Sequence, residues 1–464
     1  MKLRKFTTTG LGSLTATVAL LAGLSSAHAQ APGGGSYPGS ILIPGSNTSF
    51  SVGGYAKFDY VYDFSQNQNI NGGFSATALA IDGCAACGIG ATAILEGAGH
   101  AVKGGSQMTA SESRFNIQTR TPTGYGEFKT FVEGDFTNPN GLTNSAGLTQ
   151  NSNSYGFRLR QAYGTLGPFL IGQTFSTFED LNAVGETLDF GGDIGPSGPT
   201  RQPQVRYTYD AGNGLLISGA IENPSFTTEA SASAPPAVPL LTGTTFGSAN
   251  AGGVEQIPDF VGKIEWDQPW GHVAGRAVVR NLNYRTAPNN ALAPGFNLND
   301  NTIAWALGFG ADVKTWGKDD LTLQVNGGDG GGRYVSSGDE AIPDAIIDGT
   351  GTIQTIGALD FVVGYAHWWT DMLRTNIQGG YLHLSQPANN GINFAAPVIA
   401  GGIESLGNSF FAQTKNVYTV HANLIWSPIP QIDTGAEFIF GHRTVEAGLA
   451  GNLYRMQFST KFKF

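Results

Sequence analysis

From residue 50 to residue 64 the chain alternates almost without a break. Phe50, Val52, Gly54, Ala56, Phe58, Tyr60, Tyr62 and Phe64 fall on one side of an extended strand. Ser51, Tyr55, Lys57, Asp59 and Asp63 fall on the other. The chain closes on the same period: Tyr454, Met456, Phe458, Thr460, Phe462 and Phe464 alternate with Arg455, Gln457, Ser459, Lys461 and Lys463. Between these two segments the pattern predicts strands at about 111–121, 125–137, 155–166, 168–176, 203–210, 214–223, 257–267, 271–285, 301–313, 319–328, 356–369, 372–385, 415–427 and 431–443. With 50–64 and 452–464 that makes sixteen strands, each long enough to cross a bilayer at a tilt, which takes about 9–11 residues.

The connections between strands are short and long in turn. "PTG", "LGP", "DAGN", "DQPW", "TWGKD", "TD" and "SPIP" alternate with stretches at about 65–110, 138–154, 177–202, 224–256, 286–300, 329–355, 386–414 and 444–451. Short turns at one end and long loops at the other are the asymmetry of an outer-membrane β-barrel. An even strand count puts both termini at the short-turn, periplasmic end. A soluble sandwich has no need to pair each long loop with a short one, and a β-helix would show a short repeat, which is absent. The expected fold is all-β: one transmembrane antiparallel barrel over 50–464, with a first extracellular loop at 65–110 and an inward constriction loop at 177–202. A terminal strand that pairs with the first strand of a closed barrel is no frayed edge.

The N-terminus agrees with export. Lys2, Arg4 and Lys5 precede the apolar stretch "GLGSLTATVALLAGL", and Ala27-His28-Ala29 has the small-x-small form of a cleavage site. Residues 1–29 therefore read as a cleaved signal peptide and 30–49 as a short Gly/Pro-rich lead-in. The apolar run is too short and broken for a membrane anchor. With 67 Gly, 11% aromatic and only 13% charged residues, the composition fits Gly-rich loops between aromatic-alternating strands rather than a helical enzyme.

Candidate chemistry lies on the inward faces. If Phe115, Ile117, Phe157 and Leu159 face lipid, Arg114, Arg120, Arg158 and Arg160 face the lumen. Lys129 shares the inner face of the third strand with Glu127, Glu133 and Asp135, and Arg206, Arg276 and Arg280 extend the basic wall. The loop at 177–202 carries Glu179, Asp180, Glu186, Asp189 and Asp193. A long loop after the fifth strand is placed to fold inward and constrict the barrel. Acidic loop against basic wall would set up a transverse field that orients charged solutes and rejects greasy ones. The same residues could equally serve to pin the loop. Net charge does not decide solute sign. Removing Lys2, Arg4 and Lys5 from 25 basic residues leaves 22 against 35 acidic ones, net −13, but charges in outer loops are screened over about 8 Å.

Other motifs carry less. Cys84 and Cys87 in "DGCAACG" read as a local disulfide clasping the first loop of an exported protein, since two thiols alone make no zinc site. "NGGDGGGRY" is a single Gly-Asp copy and reads as a loop. His272, His367, His383, His421 and His442 are scattered over different strands, with no Ser/His/acid constellation visible along the chain. No cofactor, metal or nucleic-acid motif occurs.

Several long stretches carry a resemblance. "SILIPGSNTSFSVGGYAKFDYVYDF", "ESRFNIQTRTPTGYGEFKTFVEGDF", "FRLRQAYGTLGPFLIGQTFSTFEDL", "ETLDFGGDIG", "RQPQVRYTY" and "NLIWSPIPQIDTGAEFIFGHR" resemble the DcaP-like family of Gram-negative outer-membrane porins. The resemblance implies a homotrimer of sixteen-stranded barrels passing small polar or anionic solutes, with dicarboxylates as the suspected class. It implies that Arg114, Arg120, Arg158, Arg160 and Arg206 form the wall opposite Glu179, Asp180, Glu186 and Asp189. The N-terminal coiled coil of some members has no counterpart, because "QAPGGGSYPGS" holds no heptad. Tyr454, Phe458, Phe462 and the terminal Phe464 resemble the C-terminal signature that the barrel-assembly machinery recognises. The expected function is thus a passive, charge-filtered porin in outer-membrane lipid and no enzyme. The rivals are a barrel lipase or protease, which would need a catalytic serine or acid pair on the outer face or rim, and a barrel adhesin.

Overall fold

The computed structural model describes residues 34–65, 74, 79, 81, 103–138, 156–194, 200–226, 228–229, 255–285, 299–336, 342–347, 352–387, 413–446 and 448–464. The signal segment 1–29 and the pair Cys84 and Cys87 lie outside these residues.

Sixteen strands form the barrel wall: β1 (Ser49–Asp63), β2 in two pieces (Gly105–Thr109 and Arg114–Thr123), β3 (Gly126–Asn138), β4 (Gly156–Leu166), β5 (Phe169–Phe175), β6 (Arg201–Gly212), β7 (Leu215–Glu222), β8 (Asp259–Gln268), β9 (Gly271–Arg285), β10 (Asn299–Lys314), β11 (Asp320–Asp329), β12 (Gly357–Trp368), β13 (Leu373–Ser385), β14 (Thr414–Ile429), β15 (Ile432–Val445) and β16 (Ala450–Lys463). Each pairs antiparallel with the next. β16 returns to β1, with Tyr55 opposite Lys463 and Asp63 opposite Arg455. The terminal Phe464 donates its N–H to Gly54 at 3.0 Å and accepts the Gly54 N–H at 3.2 Å. The last residue is therefore hydrogen-bonded into the seam, and the sheet has no open edge there.

Side-chain alternation divides the wall into an apolar outside and a polar inside. Along β16 Tyr454, Met456, Phe458 and Phe462 are exposed, whereas Arg455, Gln457 and Ser459 are buried in the lumen. Tight turns join strands at one end. Asn213 adopts φ +53° between Gly212 and Gly214, both also at positive φ, in the turn joining β6 to β7.

Among the register shifts along the wall, those in β2 and β4 place charged side chains inside the barrel. Between the pieces of β2 one extra residue is inserted, since Asp59 pairs with Thr109 but Tyr55 with Arg114. The bulge sets Glu112 inside the barrel on Lys57, which also pairs with Asp59. In β4 the register shifts between Gln161 and Leu159, so Arg160 and Gln161 both reach Glu133 from the inner side. The buried apolar core lies inside the barrel, where Phe178 and Ile194 of the β5–β6 loop meet Tyr334, Val335, Leu382, Ile439 and Leu453.

Candidate functional site

The segment between β5 and β6 leaves the wall at Phe175 and crosses the lumen. Its start is fastened to β7: Ser176 Oγ and the Thr177 N–H donate to the Glu222 carboxylate at 2.7 and 2.6 Å. A short 3-10 turn, Leu181–Ala183, follows. His272 on β9 stands between Asp180 at 3.0 Å and Asp267 at 2.5 Å. Arg276 donates to Phe178 O, and Gln324 Nε2 donates to the Asp180 and Ala183 carbonyls. Further along, Arg374 on β13 grips Glu186 through two bonds of 2.6 Å. Glu437 on β15 accepts the Leu188 N–H at 2.6 Å, and Lys57 on β1 donates to Leu188 O at 2.7 Å.

The next residues form a tight turn. Asp189 accepts the Gly192 N–H at 3.2 Å, Gly192 takes φ +74°, and Asp193 accepts the Thr419 hydroxyl. This turn projects Phe190 across the lumen onto β2 and β4. The guanidinium carbons of Arg158, Arg160 and Arg114 lie 5.3, 5.3 and 5.9 Å from its ring centre. Arg114 also stands 5.3 Å from the Tyr55 ring. Cations over an aromatic face are held by the ring quadrupole.

The arginines are not opposed by the loop's carboxylates. Asp135 takes Arg158 through bonds of 3.0 and 2.8 Å and Arg160 through one of 2.8 Å. Glu133 takes Arg160 at 2.9 Å and approaches Arg114 to 3.8 Å. Both acids belong to β3, the strand between the arginine strands. Arg201, at the start of β6, stands within electrostatic reach of this cluster. Two carboxylates thus serve at least three guanidiniums, and the patch stays basic.

The other wall residues separate by depth and by face. Toward the short turns, Arg120 stacks on Tyr37 at 4.5 Å and approaches Glu127 to 3.6 Å. Lys129 lies over the Phe131 and Tyr163 rings, and Arg206 is half-buried on β6. Arg276 and Arg280 occupy the far side, beneath loops. Arg276 is bonded to Gln324 and Asn326, and Arg280 to Asp259 and Asp344. Water access follows this division. The side chains of Arg158 and Arg120 are 31% and 33% exposed, whereas Arg276 and Arg280 are 4% and 1% exposed. Among the described residues, the inner face of β2–β4 keeps water where that of β9 is sealed.

The loop acids differ in charge as well as place. Burial pushes the Glu179 carboxyl up to about 7, against the hydrogen bond it accepts from the Thr200 N–H. Burial also raises Asp189, opposed by the Arg455 charge. Burial alone would raise Asp180 too, but the His272 hydrogen bond and the charges of Lys263 and Arg276 outweigh it and hold the carboxyl low.

Period-two alternation alone assigns an inward face to Arg114, Arg120, Lys129, Arg158, Arg206, Arg276 and Arg280, and each stands there. Sequence reading overlooked Phe190, which falls between acids in an irregular stretch, and Arg374, whose inward place could have been read from "LRTNIQ". It also gave no signal that Glu133 and Asp135 would neutralise their own neighbours. Among the described residues no group of three or more His, Cys, Asp or Glu side chains is arranged to hold a metal.

Comparison with known proteins agrees with this geometry. A family model described as "Porin subfamily" matches residues 38–444. No curated protein matches. Among solved structures, the outer membrane channel DcaP of Acinetobacter baumannii is similar with a TM-score of 0.67 at 19% identity, covering 92% of this chain and 99% of that one. OmpT of Vibrio cholerae gives 0.48 at 8% identity, covering 91% and 99%. OmpF of Salmonella typhi, in complex with daunomycin, gives 0.47 at 10% identity, again covering 91% and 99%. At 19% identity the likeness to DcaP is one of fold.

Proposed function

Because this chain belongs to the porin subfamily, we propose that its barrel is a passive channel for small hydrophilic solutes that favours anions at its narrowest point. The barrel sits in the outer membrane of a Gram-negative bacterium, with its apolar outer face against lipid. The observation that carries the anion reading is the position of the water-accessible face. It runs along β2–β4, where Arg120, Arg158 and in part Arg114 reach water, and Arg114, Arg158 and the buried Arg160 together outnumber Glu133 and Asp135. Fixed charge on the wall of a narrow, low-dielectric passage sets which ion enters. Small dicarboxylates, the class implied by the resemblance to the DcaP-like family, would suit guanidiniums in a row. The reading includes a homotrimer and insertion by the barrel-assembly machinery, with no nucleic-acid partner.

Reconstitution in a planar bilayer under a salt gradient tests it. The reversal potential is expected on the anion side, and Arg158→Ala with Arg160→Ala is expected to move it toward cations with assembly intact. A cation-selective wild type, or an unmoved potential in the double variant, would remove the arginines from the filter. Current steps in threes, with cross-linked species of three chains, are the expected signs of the trimer.

A further inference from the structure

The outer face of the barrel carries a constellation that the channel does not use. His383 and Ser385 lie near the long-loop end of β13, alternating with Leu382 and Leu384, which face inward and are buried. Alternation therefore turns both outward. Ser385 Oγ stands 3.3 Å from His383 Nε2, and His383 Nδ1 stands 2.8 Å from Asn416 Oδ1 on β14. The same Asn416 oxygen accepts the Tyr381 hydroxyl at 2.8 Å, and Asn416 Nδ2 donates to Thr444 Oγ1 at 3.3 Å. These bonds fix the amide and assign the tautomer. An amide oxygen only accepts, so Nδ1 carries the proton and Nε2 offers its lone pair to the serine.

Three further features complete the arrangement. Asn416 keeps the outward phase of Tyr418 and Val420 and pairs with His383, and a bulge between Thr414 and Asn416 turns Thr414 inward instead. Gly357 lies opposite Ser385, where a Cβ would come within 3.2 Å of the serine Cβ, so the glycine leaves the hydroxyl open. Directly after the serine, the Gln386 backbone N–H makes no hydrogen bond among the described residues, its side chain being bonded to Thr414 O. A free N–H following a nucleophile is a ready oxyanion donor. Below lie the rings of Tyr381, Tyr418, Phe440 and Tyr454, an aromatic girdle of the kind that marks the lipid interface.

We propose that Ser385, His383 and Asn416 form an acyl-ester hydrolase site on the lipid-facing rim, acting on the ester bonds of membrane lipids. Ser385 Oγ bonds to the ester carbonyl carbon as its proton passes to His383 Nε2. The tetrahedral intermediate, its oxygen at the Gln386 N–H, expels the alcohol, which takes that proton. Water then attacks the acyl-serine, its proton going to Nε2 and on to Ser385 Oγ as the fatty acid leaves. Asn416 is a positioning residue that holds the imidazole in the productive tautomer. A serine–histidine distance of 3.3 Å is within the looser range of unliganded sites.

The test uses the full-length barrel in phosphatidylethanolamine vesicles with a fluorescent acyl chain, and a fluorophosphonate probe read by mass spectrometry. The wild type is expected to release labelled fatty acid and to carry the probe on Ser385. Ser385→Ala is expected to lower release on the order of 10³-fold with conductance unchanged. His383→Ala should abolish labelling although the serine remains. Asn416→Ala should lower release and narrow its pH range, with recovery in Asn416→Asp, which restores the acceptor. Release that persists in Ser385→Ala, or a wild type that neither releases fatty acid nor takes the probe, overturns the proposal and leaves these groups as polar rim residues.

Discussion

Phe190 is the side chain that the loop lays across the guanidiniums of the water-accessible face. The backbone beneath it is held from the opposite wall by Glu437, Lys57 and the Asp189–Gly192 turn, and its ring ends on three guanidiniums. Removing the ring should therefore widen the passage without releasing the loop. Phe190→Ala is expected to raise single-channel conductance on the order of twofold while the reversal potential keeps its sign; an unchanged conductance would place the narrowing elsewhere. The two strongest wall arginines should also behave differently. Arg160 is nearly buried between Glu133 and Asp135, so Arg160→Ala takes from Glu133 its closest guanidinium while Asp135 keeps Arg158, at a cost of about 3–5 kcal/mol. Arg158 is partly exposed, and its loss should be felt more in selectivity than in stability. Alternation in "YGFRLRQ" was enough to turn both inward. It could not say that one would be sealed and the other wet, because burial depends on a loop that no local pattern positions.

At the scale of the element, the loop after β5 decides most. Its acids read from sequence as one negative face, yet they serve different ends: Asp180 and Glu186 pair with His272 and Arg374, whereas Glu179 is buried against Thr200. Glu179 makes the seating of the loop depend on pH. Its carboxyl titrates near 7 when seated, against an ordinary value of 4.5. Between those values the seated loop binds more protons than the released one, so seating is firmest below the lower value and weakens as pH rises through 7. Hydrogen exchange over residues 176–194, corrected for intrinsic rates, should show protection falling from pH 5 to pH 8. Glu179→Gln should flatten that trend, and a trend unaltered in the variant would assign it to another group. The wall strands were far more legible than this loop. Predicted bounds such as 271–285 and 372–385 match β9 and β13 within a residue, because each strand must present one face to lipid and one to water. The bulges in β2 and β4 were not legible, since one inserted residue resembles ordinary irregularity.

For the whole molecule, the seam and the inward loops carry different burdens. Arg280 is fully buried between Asp259 and Asp344, and also donates to Gly330 O and Ser225 O, tying the segment after β11 to the wall. Arg280→Ala takes the guanidinium from buried Asp344 and one of two from Asp259, which keeps Arg333, and a loss of about 3–5 kcal/mol should appear as a lower temperature for the gel-mobility shift of the folded barrel. Deleting Phe464 removes the two hydrogen bonds to Gly54. Its expected outcome is fewer assembled barrels in the outer membrane, with normal stability in those that do assemble.

The sequence by itself determined the class of fold, the strand count, which end holds the long loops and which side chains face the lumen. All four follow from a period of two and from the bilayer, which requires every backbone group in the wall to be paired and the outward side chains of the lipid-facing band to be apolar. Only the tertiary structure decided which charges meet. The partners of Arg158 and Arg160 are 23 to 27 residues away in sequence, the Glu186–Arg374 pair spans 188, and His383 finds Asn416 across a connection of 33. Contacts of that kind depend on barrel closure and on the path of loops through the lumen, and neither leaves a periodic trace in the chain.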